Sequence, residues 1–123
     1  MSFIHYLFLG HFEQDGQIVR FARSPDDSVY RPVVRVPLDA KTVQDVLREV
    51  QGTAGDDLTF PDDWLMWLDA GYLVCDKYTK NRDAISFITR LAERTRCDIY
   101  DVSAHCEISL HDWFAVADAY AKP

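Results

Sequence analysis

The chain of 123 residues carries 13 basic and 20 acidic side chains, a formal charge of −7, and a surface of that sign repels phosphate backbones and so disfavours general nucleic-acid binding. With 48% hydrophobic and 27% charged residues, usage is ordinary for a globular protein, which argues against disorder, and the length suits one domain able to bury roughly two-thirds of its unfolded surface. No stretch approaches the ~20 apolar residues that a membrane helix needs, so no membrane association is expected.

Residues 3 to 13, FIHYLFLGHFE, predict a strand covered on both faces. In an extended chain Ile4, Tyr6, Phe8 and Phe12 share one side, and Phe3, Leu7 and Leu9 the other. The run has no preceding basic region and is interrupted or flanked by His5 and His11, so it does not read as a signal peptide. Asp15-Gly16 signals a hairpin turn, because Gly tolerates positive φ, and residues 17 to 23 make the return strand. Ser24 to Ser28 is a polar loop. Residues 29 to 37 predict a third strand, in which Pro32 cannot donate to a ladder and so marks an edge or a bulge.

The first helix follows. Asp39 stands at its cap, Val43, Val46, Leu47 and Val50 form one apolar stripe, and Gly52 is a natural stop. Residues 60 to 71 admit two readings. Pro61, Asp62 and Asp63 suit a first helical turn, and Trp64, Leu65, Trp67 and Leu68 have helical spacing, which tips the expectation slightly towards a short helix. The alternative is a hairpin with WLMWLD and YLVCDKY as arms and Ala70-Gly71 at its tip. Residues 82 to 95 predict a second clear helix, capped by Asn81 or Asp83 and burying Ala84, Ile85, Ile88, Leu91 and Ala92. Residues 97 to 102 read as a strand, and Ser103-Ala104-His105 as a turn into another short one. Ser109 and Asp112 resemble a capping box that opens a last helix to about Tyr120. The expectation is a single α+β domain over residues 1–123: a mainly antiparallel sheet that starts with an N-terminal β-hairpin, with about three helices packed on it.

Chemical signatures are sparse. Cys97, His105 and Cys106 lie close in sequence, with Cys75 on another strand, but no C-x-x-C or H-x-x-x-H pair exists, so neither a metal site nor a cofactor is expected. The odd number of cysteines, without an export signal, predicts reduced, buried thiols and a cytoplasmic location. Cys106 beside His105 is a weak candidate nucleophile, since adjacent residues rarely achieve the needed geometry. In an extended run Asp101, His105 and Glu107 fall on one side, with Ser103 between, which would suit a small enzyme using general acid–base chemistry; Asp76 lies on another strand. No phosphate loop, nucleophile elbow or calcium loop is present.

The most informative stretch runs from Ala54 to Asp76. It contains six aspartates, Asp56, Asp57, Asp62, Asp63, Asp69 and Asp76, and no Lys or Arg. Phe60, Trp64, Trp67 and Tyr72 are interleaved with them. Aromatics supply contact area and carboxylates steer a basic partner, so Asp56, Asp57, Phe60, Asp62, Asp63, Trp64, Trp67, Asp69 and Tyr72 form the expected partner-binding set. The competing reading makes the tryptophans core and the acids loop caps. From Lys77 to Cys97 the sign reverses, with six basic residues against Asp83 and Glu93. Arg20, Arg23, Arg31 and Arg35 form a lesser pattern, either a basic stripe or the solvated face of a sheet.

A small acidic α+β chain without catalytic signatures is similar in general character, though in no motif, to bacterial immunity proteins that neutralise toxins. The leading expectation is therefore a non-catalytic module that binds another protein with a basic surface. A small enzyme at Asp101, His105 and Glu107, and an accessory subunit of a homo-oligomer, are the alternatives.

Overall fold

The aromatic run near the N-terminus becomes the central strand of a sheet. The computed structural model describes residues 6–16, 18–23, 30–52, 59–76, 79, 81–102, 106–109, 112, 113 and 115. In chain order these form β1 (Tyr6–Phe12), β2 (Gln14–Asp15), β3 (Ile18–Val19), β4 (Phe21–Arg23), β5 (Tyr30–Pro32), β6 (Val34–Val36) and α1 (Ala40–Gln51). A single 3₁₀ turn, Asp62–Trp64, leads into β7 (Met66–Leu68), β8 (Leu73–Asp76), α2 (Arg82–Thr95), β9 (Asp98–Asp101) and β10 (Cys106–Ile108). The main sheet runs β10-β9-β1-β8-β7, with β6 also paired to β1. Every pairing among the described strands is antiparallel. The protein is thus α+β with a mostly antiparallel sheet.

Both faces of β1 are covered. Leu7 and Leu9 enter the larger core with Met66, Leu73, Cys75 and Ile99 from neighbouring strands, Val43, Val46 and Leu47 from α1, and Phe87, Ile88 and Leu91 from α2. Each fully buried aliphatic side chain of this kind contributes roughly 1.5–3 kcal/mol. Phe8 and Phe12 enter a second cluster on the opposite face with Val19, Tyr72, Val74 and Tyr100, flanked by Phe21 and Val34. A Cβ at Gly10 would meet the Phe12 ring and the Tyr72 Cβ at 3.0 Å, so the glycine is what lets these rings close over the strand.

The three N-terminal strands are each broken once, and the breaks coincide. Glu13 N–H donates to Val33 O (2.8 Å), Arg20 N–H to Glu13 O (2.8 Å) and Val33 N–H to Arg20 O (2.9 Å), a closed circuit of main-chain bonds. The register of β1 against β6 shifts between His11 and Phe12. An irregularity of this kind bends the strand, and here it accompanies the passage of the hairpins over the second face. Pro32 pairs with Phe21 in the β4–β5 ladder next to this corner.

Both α-helices follow the sequence closely. Val43, Val46 and Leu47 are buried, and Gly52 closes α1 at φ 75° with its N–H on Arg48 O. Asp39 occupies the cap position of α1, but its carboxylate accepts from the Thr42 hydroxyl (2.9 Å) rather than from a helix amide. In α2 Asn81 is the cap: its Oδ1 accepts from Asp83 N–H (2.9 Å) and Ala84 N–H (3.1 Å). Asn81→Ala is expected to cost about 1 kcal/mol, whereas Asn81→Ser keeps an acceptor and loses little. Urea denaturation of the two variants checks this; equal midpoints would refute the cap.

Two expectations need correction or restriction. Residues 61–70 do not form a helix. Leu65 adopts φ 53°, a left-handed conformation that ends the 3₁₀ turn, and the hairpin alternative is what forms, with Met66 opposite Cys75 and Leu68 opposite Leu73. Burial alternates accordingly: Trp64 and Met66 lie inside, Leu65 and Trp67 outside. The described residues hold two α-helices rather than about three. At the expected third, Ser109 Oγ accepts from Asp112 N–H (3.0 Å) and Ser109 O from Trp113 N–H (2.9 Å). Its continuation towards Tyr120 lies outside the described residues. Among those residues no helix is long and apolar enough to cross a membrane.

Candidate functional site

The β7–β8 hairpin decides where the acidic, aromatic stretch points. Asp76 N–H donates to Leu65 O (3.2 Å) and Asp69 N–H to Tyr72 O (2.9 Å), so the ladder extends one residue beyond β7 at each end. Side chains of directly opposed residues share a sheet face. Asp76 and Tyr6 therefore form one row on the second face, Trp67, Val74 and Phe8 the next, and Asp69 and Tyr72 the third, while Leu65, left-handed at φ 53°, ends the ladder opposite Asp76. The hairpins cover the part of this face near Phe12. At the β7 edge it is open: Leu65 is 55% exposed and Trp67 41%. The Trp67 ring stands at 86° to that of Tyr6 with centroids 5.4 Å apart, which fixes the indole at the edge of the sheet.

The other expected binding aromatics go elsewhere. Trp64 is buried in the larger core against Phe60 and Phe87. Tyr72 is buried in the second cluster between Phe8 and Phe12. Phe60 is half-buried, its ring 5.4 Å from that of Phe87. Trp67, 41% exposed, presents the most surface to solvent of the four. Leu65, absent from the expected set, stands beside it; the period-two alternation from Trp64 to Trp67 was the signal that would have found it.

The aspartates divide as well. Asp63 is exposed and accepts from Asn81 Nδ2 (2.8 Å), which ties the 3₁₀ turn to the start of α2. Asp69 accepts from the Tyr72 hydroxyl (3.1 Å) and from Ala70 N–H (2.8 Å). Burial, and next the Asp69 charge, push the Tyr72 phenol well above its ordinary range, so it remains a neutral donor. Arg31, from the basic pattern, reaches Asp69 with a guanidinium nitrogen 4.0 Å away while its own side chain is 58% exposed. Asp62 is exposed, and Asp76 is half-buried. Asp56 and Asp57 lie outside the described residues.

The alternative catalytic group does not assemble. Cys106 pairs with Asp101 and Glu107 with Tyr100, so Asp101 lies on the Leu7 face of the sheet and Glu107 on the opposite one. The turn between β9 and β10 resets the alternation that an unbroken extended run would have had. His105 lies outside the described residues. Glu107 instead borders a cavity of about 400 Å³, with Glu93, Arg96, Cys97 and Asp98, at the C-terminal end of α2. Desolvation, then the Asp98 charge, raise its carboxyl above the usual range, and Gln14 Nε2 donates to it. Cys75 and Cys97 are free thiols, and burial pushes both above the ordinary thiol range. A raised thiol is a poor nucleophile.

Searches against protein families, curated proteins and solved structures find no match to this chain. Function has to be argued from the surface itself.

Proposed function

We propose that this chain is a non-catalytic binding module that meets a basic protein at the open edge of its sheet. The observation that carries the reading is the pair Leu65 and Trp67, 55% and 41% exposed at the β7 edge, within a stretch from Ala54 to Asp76 that has no Lys or Arg. Exposed large apolar side chains beside a single sign of charge provide both an anchor and a steering field. The acidic character shared with immunity proteins fits the same reading. A second copy of the chain fits less well, because self-association here would press like charges together.

The local field is testable without the partner. Trp64 is 2% and Trp113 1% exposed, so collisional quenching reports on Trp67. Relative to its quenching of free N-acetyltryptophanamide, caesium ion is expected to be favoured over iodide at Trp67, and the bias should shrink in Asp62→Asn/Asp63→Asn and in high salt. The absence of such a bias would remove the steering argument. For the partner, pull-downs with the wild type, Trp67→Ala and Asp62→Asn/Asp63→Asn are compared. A basic protein that wild type retains and both variants release is the expected result; equal retention by all three refutes the surface.

A further inference from the structure

The open edge has a finer geometry than apolar plus acidic. The pleat puts Asp69 two residues beyond Trp67 on the same face, roughly 7 Å along the strand. Asp76, opposite Leu65, occupies the diagonal position on the other side of the indole, also about 7–8 Å away. Trp67 is thus an exposed indole with a carboxylate row on either side, and Leu65, also exposed, lies two residues before it at the start of the edge strand.

We propose that this edge recognises an arginine side chain of the partner, its guanidinium lying on the Trp67 indole between the Asp69 and Asp76 rows and its methylenes against Leu65. The inference rests on the binding reading above and names what that surface takes. Three observations support a guanidinium over other cations. The exposed indole offers a π face, on which a planar, weakly hydrated guanidinium stacks better than a compact ammonium. Leu65 provides apolar surface for the aliphatic stem, which long cationic side chains cover readily. Finally, Arg31, 58% exposed, already brings a guanidinium to 4.0 Å from Asp69. At that distance and exposure the internal pair is weak, and it sits at the Asp69 border of the surface. Arg31 is then a competitor: its charge reduces the field that an incoming arginine meets.

The probe is the peptide acetyl-(Gly-Arg)₄-amide, compared with its (Gly-Lys)₄ counterpart and with the citrulline analogue, which keeps the shape and loses the charge. Binding is followed in every variant by isothermal titration calorimetry, and in those that keep Trp67 also by its fluorescence and indole N–H resonance. The arginine peptide is expected to shift the Trp67 indole signal while leaving those of Trp64 and Trp113, and to bind about two- to fivefold more tightly than the lysine peptide. The citrulline peptide should not bind. W67L should abolish the preference for arginine over lysine, and R31Q should tighten arginine-peptide binding. A thermal melt confirms that W67L is folded. If arginine and lysine peptides bind alike and W67L changes nothing, or if R31Q weakens binding, the guanidinium site is wrong. In that case Asp62→Asn/Asp63→Asn decides the wider reading: weaker binding keeps an acidic docking surface without the Trp67 anchor, and unchanged binding removes both.

Discussion

Trp64→Ala is expected to lower the stability of the fold by about 3–5 kcal/mol, the usual cost of emptying a large aromatic site in a core. Trp67→Ala, three residues on, should lower it by about 1 kcal/mol, the scale of one aromatic edge contact. The contrast follows from exposures of 2% and 41% and from the rings each indole meets among the described residues: Phe60 and Phe87 for Trp64, Tyr6 for Trp67. Stabilities of small domains are about 5–15 kcal/mol, so Trp64→Ala removes a large fraction of the total, and Trp64→Phe supplies a measurable intermediate should the alanine variant fail to fold. Urea denaturation is the measurement. Equal large losses at both positions would make Trp67 a core residue, and the docking surface would not exist.

Gly71→Ala is the second large effect. Gly71 has φ 86°, and a Cβ there would lie 3.1 Å from Pro37 Cβ and 3.2 Å from Pro37 Cα. Backbone cannot retreat as a flexible side chain can, so the clash adds to the left-handed penalty, and the expected loss is about 2–4 kcal/mol. The residue also holds two joints: its N–H donates to Asp69 O (2.6 Å) and its carbonyl accepts from Leu38 N–H (2.9 Å). Shifting it therefore disturbs both the carboxylate row beside Trp67 and the entry to α1. Thermal melts check the loss, and the Trp67 indole resonance checks the coupling. A stable variant with an unmoved indole signal would contradict both parts.

What could be read from the residues was whatever depends on spacing along one element. The stripe Val43, Val46, Leu47 and the face Ala84, Ile88, Leu91, Ala92 require only the helical period and are buried as expected, while Val50 and Ile85, at the margins of the same faces, are only half-buried. Asn81 and Gly52 were legible because caps are local chemistry. Phe87 is fully buried yet lies outside the expected face of α2, which comprises aliphatic residues alone. From Trp64 to Leu68 every residue is apolar and fits either period, so spacing does not separate helix from hairpin. The partner strand β8 made that choice, which is tertiary information. Asp63 and Asp69 show the same limit for charge. Their presence was evident, but the internal acceptor roles towards Asn81 and Tyr72 depend on contacts that no local pattern encodes. Likewise Asp101 and Glu107 share a side only if the chain runs straight, and the β9–β10 turn removes that condition.

The position of β1 in the sheet has a consequence during synthesis. Leu7 pairs with Cys75 on one side and with Asp101 on the other, so the earliest strand made is completed by some of the last. At about 5–20 residues per second, β1 emerges on the order of 5–20 s before β9 exists. The hairpins β2–β6 follow at once and can shelter Phe8 and Phe12, but Leu7 and Leu9 have no cover until α1, β8 and α2 have been made. On the ribosome the nascent chain is therefore a half-dressed hairpin with an aliphatic stripe facing solvent, a natural substrate for holdase chaperones, and it gains its native fold late and nearly all at once.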